Sequence, residues 1–464
     1  MSSGATLPVK PTQPSRGVLH LAGPLIFSFW FRAAFQWVDT VYASTLEGLG
    51  DASIAAIGLT LPFEFLMIAC WVGTSNSLTS RLSAAMGARE GAKIEQVLRA
   101  ARRIVFGLGA VFLAVALGIW FVVPKLGLDP DVARQFRIYG TVLLAGSSLT
   151  TFWSILPDSI VKAHHDTKST MWAGVASTLT NVVLNTVFVF VFHWGIFGIA
   201  LATVLGRLGG LLYALRQAAR HEARRKSAGV DVVVGLLARP VRALLGFALP
   251  AGLSFVFLAV EGLAFNGLLA SRSNGEELLA AWSILDRAGR FLVMPIIAIG
   301  VALLPLTARL WGAGEIAGIR RELRVAGGVS LAYAILFVTP CLLFAGPYVA
   351  DWLVDSDVAR EHAVLGLRWM PLGIIFACPL FLARPTFEGM QRPRPGLVVA
   401  ALRALVLVVP LGALGLILAP DWGYSAIEGL VIGSALGAGM ASLVISTWLR
   451  RALVGSSESI ASPS

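Results

Sequence analysis

The sequence predicts an all-α integral membrane protein of about twelve transmembrane helices, arranged as two pseudo-symmetric six-helix lobes that are parallel repeats of each other. Three observations predict this: composition, run length and loop charge. The 464 residues are 56% hydrophobic and 14% charged, with a mean hydropathy of +0.78, against roughly 25% charge in soluble chains. The apolar runs reach about 20 residues, the length a helix needs to cross the hydrocarbon. They are rich in Leu, Ala, Val and Gly and lack the alternating pattern of a membrane barrel. The connections between them alternate between basic and non-basic.

Taken in order, the spans are expected near residues 18–45, 53–79, 100–123, 137–160, 169–192, 195–216, 241–270, 278–307, 325–346, 362–383, 396–419 and 424–448. One set of connections holds Arg81, Arg89, Lys93, Arg99, Arg102 and Arg103, then Arg216 to Arg242, then Arg309 to Arg324, then Arg384, Arg392 and Arg394. The other set holds LEGLGD, HWG, SRSNGEE, DWLVDSD and APDWG. The positive-inside rule puts the first set in the cytoplasm. Lys10, Arg16, Arg450 and Arg451 then place both termini inside, as an even span count requires. The net charge of +11 is thereby a topology signal and needs no nucleic-acid partner. MSSGATLPVKPTQPSRG has no apolar core, so no cleavable signal peptide is expected. Cys70, Cys341 and Cys378 all lie in apolar segments and are expected to be core hydrophobes, not a disulfide framework.

The chain repeats at an offset of about 225 residues. Pro24 opens the first span and Pro250 the seventh; Ala55-Ala56 recurs as Ala280-Ala281, and Gly87-Ala88 as Gly312-Ala313. The expected organisation is a cytoplasmic tail (1–17), a first lobe (18–216), a basic linker (217–240), a second lobe (241–450) and a second tail (451–464). Six spans return the chain to its starting side, so the halves are related by an axis along the membrane normal.

Several segments resemble a known family. PLIFSFWFRAAFQWVDTVYASTLEGLGDASIAAIGLTLP is similar to the first two spans of the multidrug and toxic compound extrusion (MATE) family. HHDTKSTM, GIFGIALATV, LPAGL, WGAG and FEGMQRP followed by LRALVLVVPL resemble its later landmarks in order. The resemblance implies two six-helix lobes and cation-coupled export of organic compounds. It also implies a cation site made of Asp39 on span one, Asn181 and Asn185 on span five and Thr203 on span six. The family has an aspartate at the place of Asn185. The other three positions match, and the resemblance is closer to the family's DNA-damage-inducible branch than to its sodium-coupled branch. The latter has a glutamate on span seven and an aspartate on span ten. Here Glu261 lies about one turn beyond the first position, and IIFACPLFLA carries no acid.

The residues support a site on their own terms. An ionisable group inside a span costs about 2.5–3.5 kcal/mol on insertion scales. Asn181 and Asn185 are four residues apart and share one helical face. A single carboxylate among amides and a hydroxyl offers one negative charge fewer than a hard metal cation favours, which suits a proton better than sodium. A plain Arg32–Asp39 ion pair, seven residues apart, is the structural alternative. Glu261 is expected to bind substrate or proton, or to pair with Arg287 or Arg290. Asp286, Arg287 and Arg290 are expected to pair mutually or to face a cavity. Trp30, Phe31, Trp37, Met67, Trp153 and Met294 are candidates for an apolar cavity wall. Pro24 is the expected hinge of span one. His164, His165 and Asp166 look metal-like in composition but fit a turn better.

The function expected is a secondary antiporter that exports amphipathic or cationic organic compounds against inward H+, less readily Na+. It is expected to work as a monomer in the plasma (inner) membrane, with no cofactor, no metal and no nucleic acid. A flippase for a lipid-linked saccharide is the rival, for which Arg32, Arg207, Arg287, Arg290 and Arg368 would suit a phosphate. No phosphate loop, zinc spacing or nucleophile–base pair stands out, which disfavours an enzyme.

Overall fold

Twelve membrane-length helices make up the computed structural model, which describes residues 17–35, 38–227, 235–353 and 356–461. In chain order they are α1 (Val18–Ser44), α2 (Gly50–Gly87), α3 (Gly91–Lys125), α4 (Pro130–Ala163), α5 (Thr167–Val191) and α6 (Gly195–Ser227). The second six are α7 (Pro240–Ala270), α8 (Gly275–Gly312), α9 (Ile316–Trp352), α10 (Asp357–Gly389), α11 (Arg394–Trp422) and α12 (Ala426–Gly455). Several outrun the expected spans at the basic end. Hydropathy marks the hydrocarbon slab, whereas backbone hydrogen bonding continues into the interface. Thus α6 reaches Ser227, inside the expected linker, with Arg224, Arg225 and Lys226 in its last turn, where a helix dipole favours positive charge. The middle of that linker lies outside the described residues.

The repeat is visible in the backbone. Arg89 and Gly314 both adopt positive φ, as do His165 and Gln391. The amide of Glu90 bonds the Ala85 carbonyl at 2.8 Å, and that of Glu315 bonds Leu310 at 2.8 Å. Asp166 bonds Val161 at 3.1 Å and Arg392 bonds Phe387 at 2.9 Å. These are the same left-handed helix stops, used twice at matching places in the two halves. Asp166 also caps α5 by accepting from the Ser169 amide at 3.1 Å, so the His164–Asp166 stretch is a turn. Among the described residues no group of three His, Cys, Asp or Glu side chains is placed to hold a metal ion.

The two halves meet mainly at the basic end. A Cβ on Gly87 would overlap the Arg309 carbonyl, and one on Gly312 would overlap the Ala84 carbonyl. The two contacts are related by the repeat, so the pseudo-two-fold passes between them. Ser77 Oγ donates to the Leu244 carbonyl at 2.9 Å, Ser80 Oγ to the Glu388 carbonyl at 2.7 Å and Arg81 to the Ala243 carbonyl at 3.0 Å. The buried Glu388 carboxylate accepts from Asn76 at 2.8 Å across the halves and from Arg384 at 3.0 Å within its own helix. The start of α1 belongs to the same seam. Its Val18 amide donates to Glu322 on α9 at 2.9 Å, and Leu21 and Leu25 join a core with Ala298, Leu303 and Leu306. Toward the other end each half closes on its own core.

The seam can be probed at its glycine contact. A Gly312→Val side chain has no room against the Ala84 backbone, and overpacking costs about 1–3 kcal/mol. A Ser77→Cys probe protected in the parent is expected to react with a maleimide once Gly312→Val is added. Continued protection would show that closure does not depend on this contact.

A second test concerns His165, which is 9% exposed and sits against the Pro305 carbonyl of α8. Burial, and secondarily the Arg309 charge, push its imidazole down from 6.5 to about 4. Between those values the unfolded chain holds a proton that the folded chain refuses. Stability is therefore full above 6.5 and falls as pH drops toward 4, by up to about 3 kcal/mol at 1.36 kcal/mol per unit. Thermal unfolding across this window is expected to show the loss, with a shallower slope in His165→Gln. Equal slopes would remove His165 as the cause.

Candidate functional site

Span one is built in two pieces. Its α-helix runs Val18–Ala34 and resumes at Val38–Ser44. Pro24 lies inside the first, unbroken piece. The first piece ends at Phe35, and the second starts just before Asp39. Trp37 lies outside the described residues. The interruption also ends the expected two-turn face shared by Arg32 and Asp39. No ion pair joins them among the described residues.

The Asp39 carboxylate points into the first half, where four side chains donate to it. Asn181 Nδ2 lies 3.3 Å and Asn185 Nδ2 3.1 Å from Oδ1. Thr203 Oγ1 lies 2.6 Å and the Tyr139 hydroxyl 3.1 Å from Oδ2. Asn181 Nδ2 also lies 2.9 Å from Thr203 Oγ1, which orients that hydroxyl toward the acid. Four helices thus converge on one carboxylate: α1, α4, α5 and α6. The sequence brought forward Asp39, Asn181, Asn185 and Thr203 and missed Tyr139. A tyrosine is unremarkable in a membrane span, and only its distance to Asp39 marks it.

None of the four donors carries charge, so a small cation would supply the missing one. A second feature prepares the site for that event. Asn185 is fully buried, and its Oδ1 has no hydrogen-bond partner. A buried acceptor left unpaired costs about 1–3 kcal/mol. Immediately after it α5 widens into a π-helical turn, Val187–Val191, a form that often marks functional positions.

The second half has no copy of this cluster. At the repeat offset Glu261 falls on Phe35 and Arg403 on Ser177, each one turn short of Asp39 and Asn181. Glu261 pairs with Arg403 on α11 at 2.8 Å, which corrects the expected pairing with Arg287 or Arg290. A fixed guanidinium therefore faces the acid of the second half, whereas Asp39 has only neutral donors. Arg403 was legible as a lone charge in an apolar run but went unmarked.

The remaining candidates are scattered. Asp286 and Arg290 pair with each other at 2.8 Å, and Arg287 also has a partner. Trp30 Nε1 donates to the Phe291 carbonyl at 3.2 Å, and its ring stacks on Phe291 at 5.8 Å, joining α1 to α8. Phe31 stacks on Phe27 and meets Phe35 at a tilt. Trp153 is exposed and Met294 half-buried. Met67 is not a cavity residue: it is 2% exposed in the core of the first half.

The family model for MatE matches the chain twice, over residues 24–187 and 250–414, once in each half and over most of the chain. The chain belongs to the MatE family. Its relatives include the FAD transporter of Shewanella oneidensis, 23% identical over 86% of this chain and 88% of that protein. The probable multidrug resistance protein NorM of Deinococcus radiodurans is 27% identical over 97% of this chain and 99% of its own. A solved transporter of the MOP superfamily from Pyrococcus furiosus superposes with a TM-score of 0.82 at 20% identity, covering 95% of this chain and 96% of that one. The Vibrio cholerae MATE transporter VcmN in its bent form gives 0.81 at 23%, covering 95% and 97%. MatE proteins are transporters, and the chain is read as one, not as an enzyme.

Restoring an acid at Asn185 gives a direct check on the site. Asn185→Asp places a second carboxylate beside Asp39 and should favour a metal cation. Sodium is expected to raise the thermal stability of Asn185→Asp more than that of the parent. An equal sodium effect in both proteins would argue that Asn185 does not face the cation position.

Proposed function

We propose that this MatE protein exports small amphipathic organic compounds, driven by protons that enter through Asp39. The supporting observation is one carboxylate held by four neutral donors beside an unpaired amide oxygen. Relatives named for multidrug resistance support export of drug-like compounds. In this reading the basic loops and both termini are cytoplasmic, and the protein is a monomer in the inner membrane. The seam described above then closes the cytoplasmic side, and the conformation is the one open outward. The first-lobe positions of Asp39, Asn181 and Thr203, with no acid in IIFACPLFLA of the second half, favour the branch with a first-lobe cation site.

The proposed step uses local chemistry. Protonation turns one Asp39 oxygen from acceptor into donor. All four of its neighbours donate, so the new O–H needs an acceptor. Asn185 offers one by turning its amide, which brings Oδ1 to the carboxyl and satisfies the orphan. The rearrangement lies directly beyond the break in α1, so it biases how the outer piece sits on the inner one. A ligand shifts such an equilibrium only through differential affinity, and the proton at Asp39 supplies it. Export follows as substrate is released outward and the halves rock.

The test is dye efflux from vesicles holding the full-length protein. Efflux is expected to collapse when the pH gradient is discharged and to survive loss of the sodium gradient. Asp39→Asn should lower it at least about a hundredfold, in the range of a lost essential proton carrier. Dependence on sodium alone would overturn the proton assignment, and full activity in Asp39→Asn would overturn the site.

A further inference from the structure

We propose that Arg32 is an anion-binding subsite that receives the acidic group, a carboxylate or a phosphate, of the transported organic compound. The inference rests on the export reading and names the charge of its substrate.

Arg32 lies well inside the first membrane-length helix, Val18–Ser44. It is fourteen residues beyond Val18, about 21 Å along the helix at 1.5 Å per residue. That is too far for its side chain to reach the interface beside Val18. It is solvent-accessible yet surrounded by protein, as a side chain lining a recess is. One wall is α5, which packs closely on α1 at Gly174: a Cβ there would sit 3.1 Å from Ser28 Oγ and 3.9 Å from Arg32 Cδ. Arg207 and Asp158 are within its electrostatic reach.

The other charges around this recess are matched. Arg207 pairs with Glu64 at 2.9 Å and also donates to Ser147. Lys162 pairs with Asp158 at 2.6 Å, and Ser75 Oγ adds a contact to Asp158 at 3.4 Å. Arg32 alone among these three cations makes no hydrogen bond and no ion pair with the described residues. An unpaired guanidinium inside a membrane span is costly on every scale, and the described residues do not relieve it. An exposed planar fork of donors beside α5 is what a carboxylate or phosphate oxygen pair fits. The neighbouring Arg207 adds to the positive potential while remaining tied to Glu64. The same field works against an organic cation at this position.

The experiment uses purified full-length protein and fluorescence anisotropy without any gradient. The probes are carboxyfluorescein for a carboxylate, 4-methylumbelliferyl phosphate for a phosphate and ethidium for a cation. At least one anionic probe is expected to bind, and the tighter one identifies the acid. Arg32→Gln should weaken it about tenfold or more, the scale of a charge-assisted pair, and Arg32→Lys should recover part of the loss. Ethidium should bind more tightly to Arg32→Gln, because a repelling charge is gone. A merely structural Arg32 would move all probes in one direction, and that result overturns the proposal. So does unchanged anion binding in Arg32→Gln, or no anionic binding in the parent. Arg32-dependent anion binding alongside failed proton-driven efflux would instead sink the export reading and leave this subsite standing.

Discussion

The structure turns on one half-buried carboxylate inside a membrane span. Asp39 is held by Tyr139, Asn181, Asn185 and Thr203. Each comes from a helix of the first half, so a single acid ties four helices together. Its charge is solvated by donors but not cancelled by them. That imbalance is what a small cation can answer. The interruption of α1 just before Asp39 places the imbalance where a change of hydrogen bonding can change the path of the chain.

The pseudo-symmetry makes the imbalance one-sided. The two halves share helix stops, loop turns and the glycine contact at their common seam. They differ in what fills corresponding positions near the middle of the membrane. The first half has an acid with neutral partners. The second has Glu261 with Arg403, an acid whose partner is a permanent cation. A buried pair of this kind gains little stability over an apolar pair, but it cannot exchange its charge. In the proposed cycle only the first half therefore responds to the ion. The second half acts as the counter-surface, holding the start of α1 through Glu322. An unpaired Arg32 then gives the first half a second task, recognition of substrate, within reach of its first.

Much of this could be read from residues alone. Spans followed from run length because lipid tolerates little but satisfied helices. The cluster of Asp39, Asn181, Asn185 and Thr203 followed because polar groups there are costly and four-residue spacing sets a face. What failed depended on rotation and tertiary contact. Glu261 had several basic residues in range, and only the orientation of α7 against α11 chose Arg403. Met67 looked the same as a cavity residue or a core residue, and packing decided for the core. Tyr139 carried no signal until its hydroxyl was seen against Asp39.

The most direct test of the central claim is difference infrared spectroscopy of the protein in lipid, titrated with acid. A protonated carboxyl band is expected to appear in the parent and to be absent in Asp39→Asn. It should shift in Asn185→Ala, which removes the amide that accepts from it. A carboxyl band that persists unchanged in Asp39→Asn would show that the proton binds elsewhere, and the account built on Asp39 would fall.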